Sequence, residues 1–467
     1  MFRSDDMEKI NDNIKFIMDK AAEKYKTINE PTFIEASNIY KIIKEYIIKN
    51  NKIVYGGYAQ NLLLKIKNPE LTFYTEKDDA VYSGTSSDIA DIEIYSNEPF
   101  LDVINFTEEL YSKGYKPSIE GKQGLHEGTY KIFLNFENYF DISYVPTHIY
   151  NNLPIINVDN MRCIHPHFMM VDAYRIITDP MTSYFRLDKS IRRFNSLFKN
   201  YPINKELIDN NINLIWDKKK IDINILKFIK NNIIKKSKLI VIGLYAYNYY
   251  IKKQNINDMV KLYPYYELIT SNLSEDAHLI YNILSKKYNK ENITIKEYYP
   301  FMDWFDNRIE YYINNNLILI LYGNNKKCIV YNHSKKKMTY FGTFSLVFLY
   351  LLISYYYYYI NKNKKYVDFY NILISKFFYN RNQYLTDRNL TVMDKSPYKD
   401  FTFKCIGNTM DPRRQQFLDR NLKRSLGKKI QINYVPTGKM KEHKEMVYEN
   451  ISGNQIFLNK NLILKNI

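Results

Sequence analysis

The chain has 467 residues, 45% of them hydrophobic, which is enough for two or three domains with separate cores. With 67 lysines and arginines against 50 acidic residues, its formal charge is +17, which favours polyanions such as nucleic acid, or an anionic membrane surface, as partners. Cys163, Cys328 and Cys405 are widely separated and predict neither a disulfide framework nor a zinc site, so the composition indicates an intracellular protein.

The N-terminal region carries apolar residues at helical spacing on both sides of Pro31. We expect two helices that pack on the following domain and contribute no chemistry. The first residues are polar and acidic, and they lack the apolar segment that a secretory signal needs.

A short apolar strand, residues 53–55, is followed by Gly56, Gly57 and a helical pattern that continues to Ile66. Glycine lets the backbone approach a ligand closely, and amides at the N-terminus of a helix can bind phosphate oxygens. This turn is therefore a candidate phosphate-binding site. The polar stretch that follows, residues 67–86, is predicted to be a loop.

The next predicted strand contains two acids, Asp91 and Glu93, at a spacing that places both on one face. A later predicted hairpin, residues 130–136 and 139–145, holds a third acid, Asp141, within an apolar strand. Grouped carboxylates raise one another's pKa unless a cation lies between them, and Mg2+ is an oxygen-preferring cation that shares its ligand shell with substrate phosphates. The pattern predicts a two-metal site.

Residues 165–198 are predicted to be helical, with Arg186, Lys189 and Arg193 on one face. Such a face is either solvated or in contact with a triphosphate or an RNA backbone. His165 and His167 lie too close in sequence to share a metal, which indicates a capping or packing role.

A second, faded copy of the strand, turn and helix begins at Ile240 and contains Gly243. A hairpin of residues 317–322 and 328–332 is expected to follow, which would bring Lys327 or Cys328 to the place of Asp141. No acidic strand like that of the first copy is recognisable between Gly243 and the hairpin. This copy is therefore interpreted as a structural or RNA-holding unit.

Residues 341–360 carry no charge and are numerous enough to span a bilayer. Five consecutive tyrosines at one end and lysines beyond both ends argue against a span. Within this segment, Phe344, Val347, Tyr350 and Ile353 also repeat the spacing of a helix in the first copy. We expect a buried core helix and no membrane association.

The last part of the chain is basic and weakly periodic, with a predicted helix from Pro412 to Leu426 followed by short strands. A candidate surface for the RNA backbone consists of Arg413, Arg414, Lys423 and Arg424. Basic faces are common on any protein of this charge, so the signal has low specificity.

The ordered set of Tyr55-Gly56-Gly57, Asp91-Ile92-Glu93-Ile94 and Asp141 resembles the nucleotidyltransferase superfamily typified by DNA polymerase β. The residues around the turn, the degenerate second copy and the basic charge resemble the poly(A) polymerase catalytic subunits of poxvirus and mimivirus type. The gap from Gly57 to Asp91 is longer than the superfamily norm, and Tyr58 stands where Ser often follows the glycine. Asp88 is an alternative ligand, although on a regular strand it would face away from Asp91.

The resemblance implies an α+β fold in four parts. These are an N-terminal helical segment (1–48), a catalytic nucleotidyltransferase domain with a mixed sheet and helices (49–200), a degenerate nucleotidyltransferase-like domain (201–380) and a basic C-terminal region (381–467). It further implies template-independent addition of AMP from ATP to mRNA 3′ ends. The expected roles are Mg2+ or Mn2+ binding and catalysis by Asp91, Glu93 and Asp141, and nucleotide or phosphate binding by Gly56, Gly57, Arg186 and Lys189.

Two alternatives stay open at this point: a CCA-adding or small-molecule nucleotidyltransferase, and a non-catalytic RNA-binding subunit with a vestigial site. The adenine preference and the RNA substrate come from the resemblance alone. The long apolar segment and the basic surface are compatible with a homodimer, and a separate processivity subunit is left open. The resemblance places the protein in the host cytoplasm, in a viral factory, or in the virion.

Overall fold

The computed structural model describes residues 2–29, 31–83, 89–116, 118–125, 128–254, 256–302, 304–324, 327–427 and 433–438. The α-helices in these ranges are α1 (Ser4–Asn29), α2 (Phe33–Lys49), α3 (Gly56–Lys67), α4 (Pro99–Ser112), α5 (Thr147–Tyr150), α6 (Pro166–Thr178), α7 (Pro180–Ser183), α8 (Leu187–Asn200), α9 (Ile223–Asn232), α10 (Gly243–Ile251), α11 (Leu273–Ser285), α12 (Phe344–Ile360), α13 (Lys364–Asp387) and α14 (Pro412–Ser425).

The strands of the first half are β1 (Ile53–Tyr55), β2 (Tyr74–Lys77), β3 (Ala80–Ser83), β4 (Ile92–Ser96), β5 (Ile119–Gln123), β6 (Thr129–Leu134), β7 (Glu137–Tyr144), β8 (Ile155–Val158) and β9 (Met161–Ile164). Those of the second half are β10 (Ile240–Ile242), β11 (Tyr266–Thr270), β12 (Ile293–Tyr298), β13 (Arg308–Ile313), β14 (Asn316–Gly323), β15 (Ile329–Ser334), β16 (Thr339–Gly342), β17 (Cys405–Ile406) and β18 (Asn433–Tyr434).

Two eight-stranded mixed sheets share one order over seven of their strands, and the eighth strand is added at opposite ends, β18 beside β5 and β17 beside β15. The first runs β18-β5-β6-β7-β4-β1-β9-β8, and the second runs β12-β13-β14-β11-β10-β16-β15-β17. In each sheet the strand before the glycine turn, β1 or β10, is antiparallel to one neighbour and parallel to the other. The expected α+β class and the internal repeat are confirmed.

The expected hairpin of the second copy is wrong, because its two strands are not partners. β14 pairs with β13 and β11, while β15 pairs with β16 and β17. The counterpart of the first-copy hairpin β6–β7 is β13–β14, which lies earlier in the chain. The alignment that brought Lys327 or Cys328 to the place of Asp141 was therefore displaced by one strand.

The predicted N-terminal helices are α1 and α2, and α2 begins with a capping box in which Thr32 and Glu35 bond each other's backbone amides. The stretch predicted as a loop, residues 67–86, instead contains the antiparallel pair β2–β3. The two short strands are joined by a turn at Asp78, which has a left-handed φ of 51°. The polar composition of this stretch led to the incorrect loop prediction. The domain boundaries after residues 48, 200 and 380 stay predictions.

The helix α12 lies in the core, as expected. Its side chains pack against α6 of the first half, with Tyr356 and Phe168 ring centroids 4.8 Å apart and Phe348 and Tyr174 centroids 4.6 Å apart. In the described part of the chain, no helix combines the length and the apolar character that crossing a membrane requires.

The C-terminal region spans both sheets. β17 adds to the second sheet beside β15, α14 follows as predicted, and β18 adds to the first sheet beside β5. Cys328 and Cys405 form a disulfide with their Cα atoms 5.2 Å apart, so the expectation that the cysteines form no disulfide is wrong. Strand pairing, in which Val330 lies opposite Cys405, brings together two residues that are 77 apart in sequence.

Candidate active site

The glycine turn and the acidic strand meet directly. Glu93 in β4 lies opposite Tyr55, the last residue of β1, and Gly56 then starts α3 with a left-handed φ of 68°. A Cβ on Gly56 would lie 1.6 Å from Glu93 Oε2, so only glycine allows this approach. The amide of Gly57 donates a hydrogen bond of 2.7 Å to the same oxygen.

The three predicted acids lie close together at the neighbouring central strands β4 and β7 of the first sheet. Glu93 lies opposite Asp141 of the parallel strand β7, and Asp91 immediately precedes β4. The Asn138 side chain donates hydrogen bonds to Asp141 Oδ1 at 2.9 Å and to Asp91 Oδ2 at 3.3 Å. The structure therefore assembles the expected acid set, while its role as a metal site stays a prediction.

Lys131 lies among these acids, and sequence reasoning missed it. Its Nζ is 2.5 Å from Asp141 and 3.9 Å from Asp91. The residue belongs to β6, in which partly exposed and buried side chains alternate, and it lies opposite Asp141 on β7. No sequence signal pointed to it, because the predicted hairpin turns at residues 137–138, whereas the actual turn at Asn135 and Phe136 sets the register that pairs Lys131 with Asp141.

Burial and mutual repulsion disfavour the ionised form of the clustered carboxyl groups. Burial, followed by the charges of Asp91 and Asp141, raises the pKa of Glu93 to about 8. Burial also raises the pKa of Asp141, although Lys131 opposes this shift. Extra positive charge beside these acids would therefore stabilise the ionised forms.

The donor set suits a divalent cation such as Mg2+ or Mn2+, because all three groups supply hard carboxylate oxygens from adjacent strands. Among the described residues, no three acidic, imidazole or thiol groups are gathered tightly enough to hold an ion as they stand. Glu93 accepts from Gly57, and Lys131 lies against Asp141. The ammonium of Lys131 thus occupies an Asp141 oxygen that a bound cation would use.

The predicted basic face of α8 is split by the structure. Arg193 stands beside the glycine turn, with its guanidinium 4.0 Å from the Phe73 ring centroid and its Nη1 donating to Tyr74 Oη at 3.3 Å. Burial and Arg193 lower the pKa of Lys189, while Asp91 and Glu93 oppose the shift, so its ammonium lies within electrostatic reach of the acids.

Arg186 is exposed, with its guanidinium 4.9 Å from the Phe185 ring, and among the described contacts it meets none of the three acids. Arg193 is the better-placed cation, since a Cβ on Gly57 would lie 2.9 Å from its Nη1. Arg193 belongs to the predicted basic face. Its position beside the glycine turn follows from its contact with Tyr74 on β2, a strand that the sequence did not predict.

The remaining candidates are placed as follows. Asp88 lies outside the described residues, so the alternative ligand stays untested. Arg413, Arg414 and Arg424 are exposed on α14, and the side chain of Lys423 is not described. The two histidines act as expected: His165 Nδ1 accepts from the His167 amide at 3.1 Å at the start of α6, and His167 Nε2 bonds the Tyr201 carbonyl at 3.0 Å.

The second sheet keeps one acid that sequence reasoning missed. Glu267 lies opposite Ile242, as Glu93 lies opposite Tyr55, and a Cβ on Gly243 would lie 1.8 Å from its Oε2. The two-acid strand of the first copy is thus reduced to a single acid in the second. The pattern was hidden because Tyr265 replaces the first acid of the pair.

The other features of the site are lost in this copy. Ile320 lies opposite Glu267, in the place of Asp141, and Leu244 replaces the second glycine. The apolar Ile320 cannot ligate a cation, so the second sheet lacks the acid set of the first.

Comparisons with known proteins agree with this geometry. A family model described as "Poly(A) polymerase catalytic subunit" matches residues 41–183. A second model, described as "APMV, Putative poly(A) polymerase, catalytic subunit, C-terminal", matches residues 195–466, more than half of the chain.

A protein of Acanthamoeba polyphaga mimivirus, described as a "Putative poly(A) polymerase catalytic subunit", is 31% identical over 503 residues, which cover 98% of this chain and 83% of that protein. A protein of African swine fever virus (strain Badajoz 1971 Vero-adapted) with the same description is 26% identical over 189 residues, 38% of this chain and 37% of its own length. The crystal structure of the Megavirus polyadenylate synthase superposes with a TM-score of 0.84 at 30% identity, covering 99% of this chain and 93% of that one.

Proposed function

The chain belongs to the family of viral poly(A) polymerase catalytic subunits, and from this premise we propose that Asp91, Glu93 and Asp141 form the active site of a template-independent enzyme. The enzyme adds AMP from ATP to mRNA 3′ ends. The 3′ hydroxyl oxygen attacks the α-phosphorus of ATP, the bond to the β-phosphate oxygen breaks, and pyrophosphate leaves. The observation that carries the proposal is the convergence of three acids beside a glycine turn.

The acids would hold Mg2+ or Mn2+, which when bound lowers the pKa of the attacking hydroxyl and neutralises charge on the triphosphate. Asn138 orients two of the acids by hydrogen bonding to both Asp91 and Asp141. Lys131 neutralises the same pair and would have to give up its contact with Asp141 as a cation is bound. Its ammonium therefore competes with the cation for the same oxygens.

The glycine turn and α8 supply the phosphate side of the site. Gly57 has no side chain between the helix start and Arg193, so a phosphate group can approach the backbone there. Arg193 is held in place by the Phe73 ring and the Tyr74 hydroxyl, and Lys189 lies within electrostatic reach of the acids. We propose that Arg193 and Lys189 bind the triphosphate and then the pyrophosphate that leaves. Arg186 is placed only for contact with RNA.

An extension assay tests the proposal. Oligo(A) is incubated with Mg2+ and each of the four nucleoside triphosphates separately, using wild type and Asp91→Ala. We expect extension with ATP that is lost in the variant. Extension of tRNA ends with CTP and ATP would instead favour a CCA-adding enzyme, and equal extension by Asp91→Ala would contradict the assignment of the acids.

A non-catalytic RNA-binding subunit is the alternative from a different class. Calorimetric titration of ATP with and without Mg2+ separates the two, because a working site binds ATP in a metal-dependent way that Asp141→Ala removes. Metal-independent binding of RNA alone, with no response to ATP, would favour the RNA-binding subunit.

The quaternary structure is the last part of the proposal. α1 exposes a group of apolar side chains, Met7, Ile14, Phe16, Ile17 and Met18, that a second copy of the chain could cover. We propose a homodimer that works inside the infected cell, in the viral factory or in the virion. A light-scattering mass equal to one 56.1 kDa chain would contradict the homodimer.

A further inference from the structure

A cavity of about 430 Å³ lies in the second sheet unit, at the place that corresponds to the candidate active site of the first. Glu267 and Ile320 line it, in the positions that Glu93 and Asp141 occupy in the first sheet. The second copy thus keeps a cleft where it has lost the acid set. The side chains around this cleft determine what it can bind.

Aromatic side chains form one wall of the cavity. Tyr358 stacks on Tyr366, with ring centroids 4.3 Å apart, and on Tyr370, with centroids 5.7 Å apart. Trp216 lines the same space. A cleft lined by aromatic rings favours a planar ligand such as a nucleobase, which can stack on them.

A buried cation supplies a directed polar contact. Arg308 lies between the Tyr298 and Tyr357 rings, at 4.7 and 5.4 Å from their centroids, and pairs with Glu310 at 2.8 Å. Both members of this pair are only 9% exposed. Arg308 lines the cavity, so its guanidinium is the cationic donor available to an acceptor on a ligand.

The charged side chains lining the cavity indicate how a ligand would be oriented in it. Within the cavity, two carboxylates, Glu267 and Glu310, outnumber one guanidinium, which disfavours a phosphate there. The mouth carries Lys220, beside Asp217, as part of the exposed turn Lys218–Lys220. A base can therefore occupy the interior while its phosphate stays at the basic mouth.

Adenine fits these groups. Its exocyclic amine can donate to a carboxylate such as that of Glu267, and its ring nitrogens can accept from a donor such as the Arg308 guanidinium. Uracil lacks the amine. The choice of adenine rests in part on the proposed function, since that reaction supplies both free ATP and an adenylate tail.

We propose that this cavity is a second adenine-binding site, distinct from the candidate active site, which takes the base of a free adenine nucleotide or of the adenylate tail. In the first case it senses nucleotide, and in the second it holds the tail beside the enzyme. The two sources share one chemistry, and the experiment below separates them.

Trp216 provides a direct probe, because the chain has two tryptophans and Trp304→Phe leaves Trp216 as the only one. The full-length variant is titrated in EDTA, which suppresses metal-dependent binding at the first site, with AMP, oligo(A) and oligo(U). We expect a saturable change in Trp216 fluorescence with AMP or oligo(A) and a markedly weaker one with oligo(U). A response to AMP identifies free nucleotide as a source, and a response to oligo(A) alone identifies the tail.

A filling variant places the signal in the cavity. Ser354 lines it, and Ser354→Phe should weaken adenine binding about tenfold or more by occupying the stacking space, whereas Ser354→Ala should not. If Ser354→Phe fails to fold, as judged by circular dichroism, Leu317→Phe fills the same cavity from β14. Undiminished affinity in a folded filling variant, equal responses to oligo(A) and oligo(U), or no Trp216 response would overturn the inference.

A negative result in the fluorescence experiment and a negative result in the extension assay contradict different proposals. A chain that binds AMP at Trp216 but does not extend oligo(A) contradicts the proposed function and leaves the second site standing. A chain that extends oligo(A) with no Trp216 response contradicts the second site alone.

Discussion

Glu93 and Glu267 hold the same position in the two sheets, each lying within 2 Å of where a Cβ on a left-handed glycine, Gly56 or Gly243, would stand. Each also accepts a hydrogen bond from the amide of the residue that follows that glycine. In the first sheet this glutamate adjoins two further acids. In the second it is buried and Ile320 stands opposite it in place of an acid, so the shared arrangement stabilises a strand, turn and helix in both copies but belongs to the candidate active site in only one.

Replacing each of the two glycines by alanine should separate the structural role of the turn from its role in catalysis. Gly56→Ala and Gly243→Ala each impose a left-handed alanine, costing about 1–2 kcal/mol, and push the glutamate aside. We expect lower thermal midpoints for both variants in differential scanning calorimetry. Adenylate transfer, assayed well below those midpoints, should fall at least about tenfold only in Gly56→Ala, because only Glu93 adjoins the acid set. Equal loss of activity in both would show that the second turn also serves the chemistry.

Removing Lys131 should increase the dependence of the fold on divalent cation. Without its ammonium, Asp91 and Asp141 repel each other unscreened, so Lys131→Ala should be less stable than wild type in EDTA and gain more thermal stability from Mg2+. Thermal shifts with increasing Mg2+ measure the difference. Lys113→Ala is the control, since Lys113 pairs with Glu109 on α4. The same Mg2+ shift in Lys131→Ala as in wild type would contradict competition between the ammonium and the cation.

Arg193 and Arg192 form a matched pair for testing the phosphate side. Arg193 lies against Phe73 and Tyr74 beside Gly57, whereas Arg192 pairs with Asp188 on the exposed side of α8. Arg193→Met should raise the KM for ATP about tenfold or more, as expected for loss of a charge-assisted phosphate contact. Arg192→Met should change it little. Initial rates across ATP concentrations make the comparison, and similar KM values for the two variants would place the triphosphate elsewhere.

Glu267 should make the fold less stable as pH rises. Burial raises its pKa from 4.5 to about 7, so the folded chain binds a proton that the unfolded chain releases between these values. The stability contribution is present at low pH and is lost as pH rises from about 4.5 through about 7, by at most about 3 kcal/mol. Glu267→Gln should remove this loss, so its thermal midpoint relative to wild type should be higher at pH 8 than at pH 5. An advantage that does not vary with pH would mean that the carboxylate stays ionised in the fold.

The disulfide should link the C-terminal region to the second sheet in solution. Closing a loop between residues 77 apart is worth about 4 kcal/mol in the chain-entropy account. We expect reductant to lower the thermal midpoint of wild type and to have no effect on Cys405→Ser. Cys163→Ser, which alters the buried free cysteine, should keep the sensitivity to reductant. A wild-type midpoint that is indifferent to reductant would show that the pair is not oxidised in solution.

The acid set and the glycine turn were predictable because they depend on local rules: side chains two apart on a strand share a face, and a strand that ends in two glycines must turn. Lys131 and Asn138 were not predictable in this way. They reach Asp91 and Asp141 through the pairing of β6, β7 and β4, which no local pattern specifies.

The second copy shows a different limit. Its strand, turn and helix were recognised because Gly243 is needed for the same backbone geometry as Gly56. Its glutamate was missed because the first acid is replaced by Tyr265 and the copy has no counterpart of β2–β3 among the described strands, so the spacing changed. The Cys328–Cys405 bond was missed because it depends on β17 joining a distant edge of the second sheet.

The position of β18 affects the order in which the protein is made. The sheet that carries Asp91, Glu93 and Asp141 receives its edge strand from residues 433–434, whose Tyr434 hydroxyl also donates to Glu108 on α4 at 2.6 Å. During synthesis, the strands of the second sheet leave the ribosome before this edge strand does. The sheet that carries the candidate active site is therefore completed only after the strands of the second sheet have been made, and a chain that stops before residue 433 lacks this edge strand.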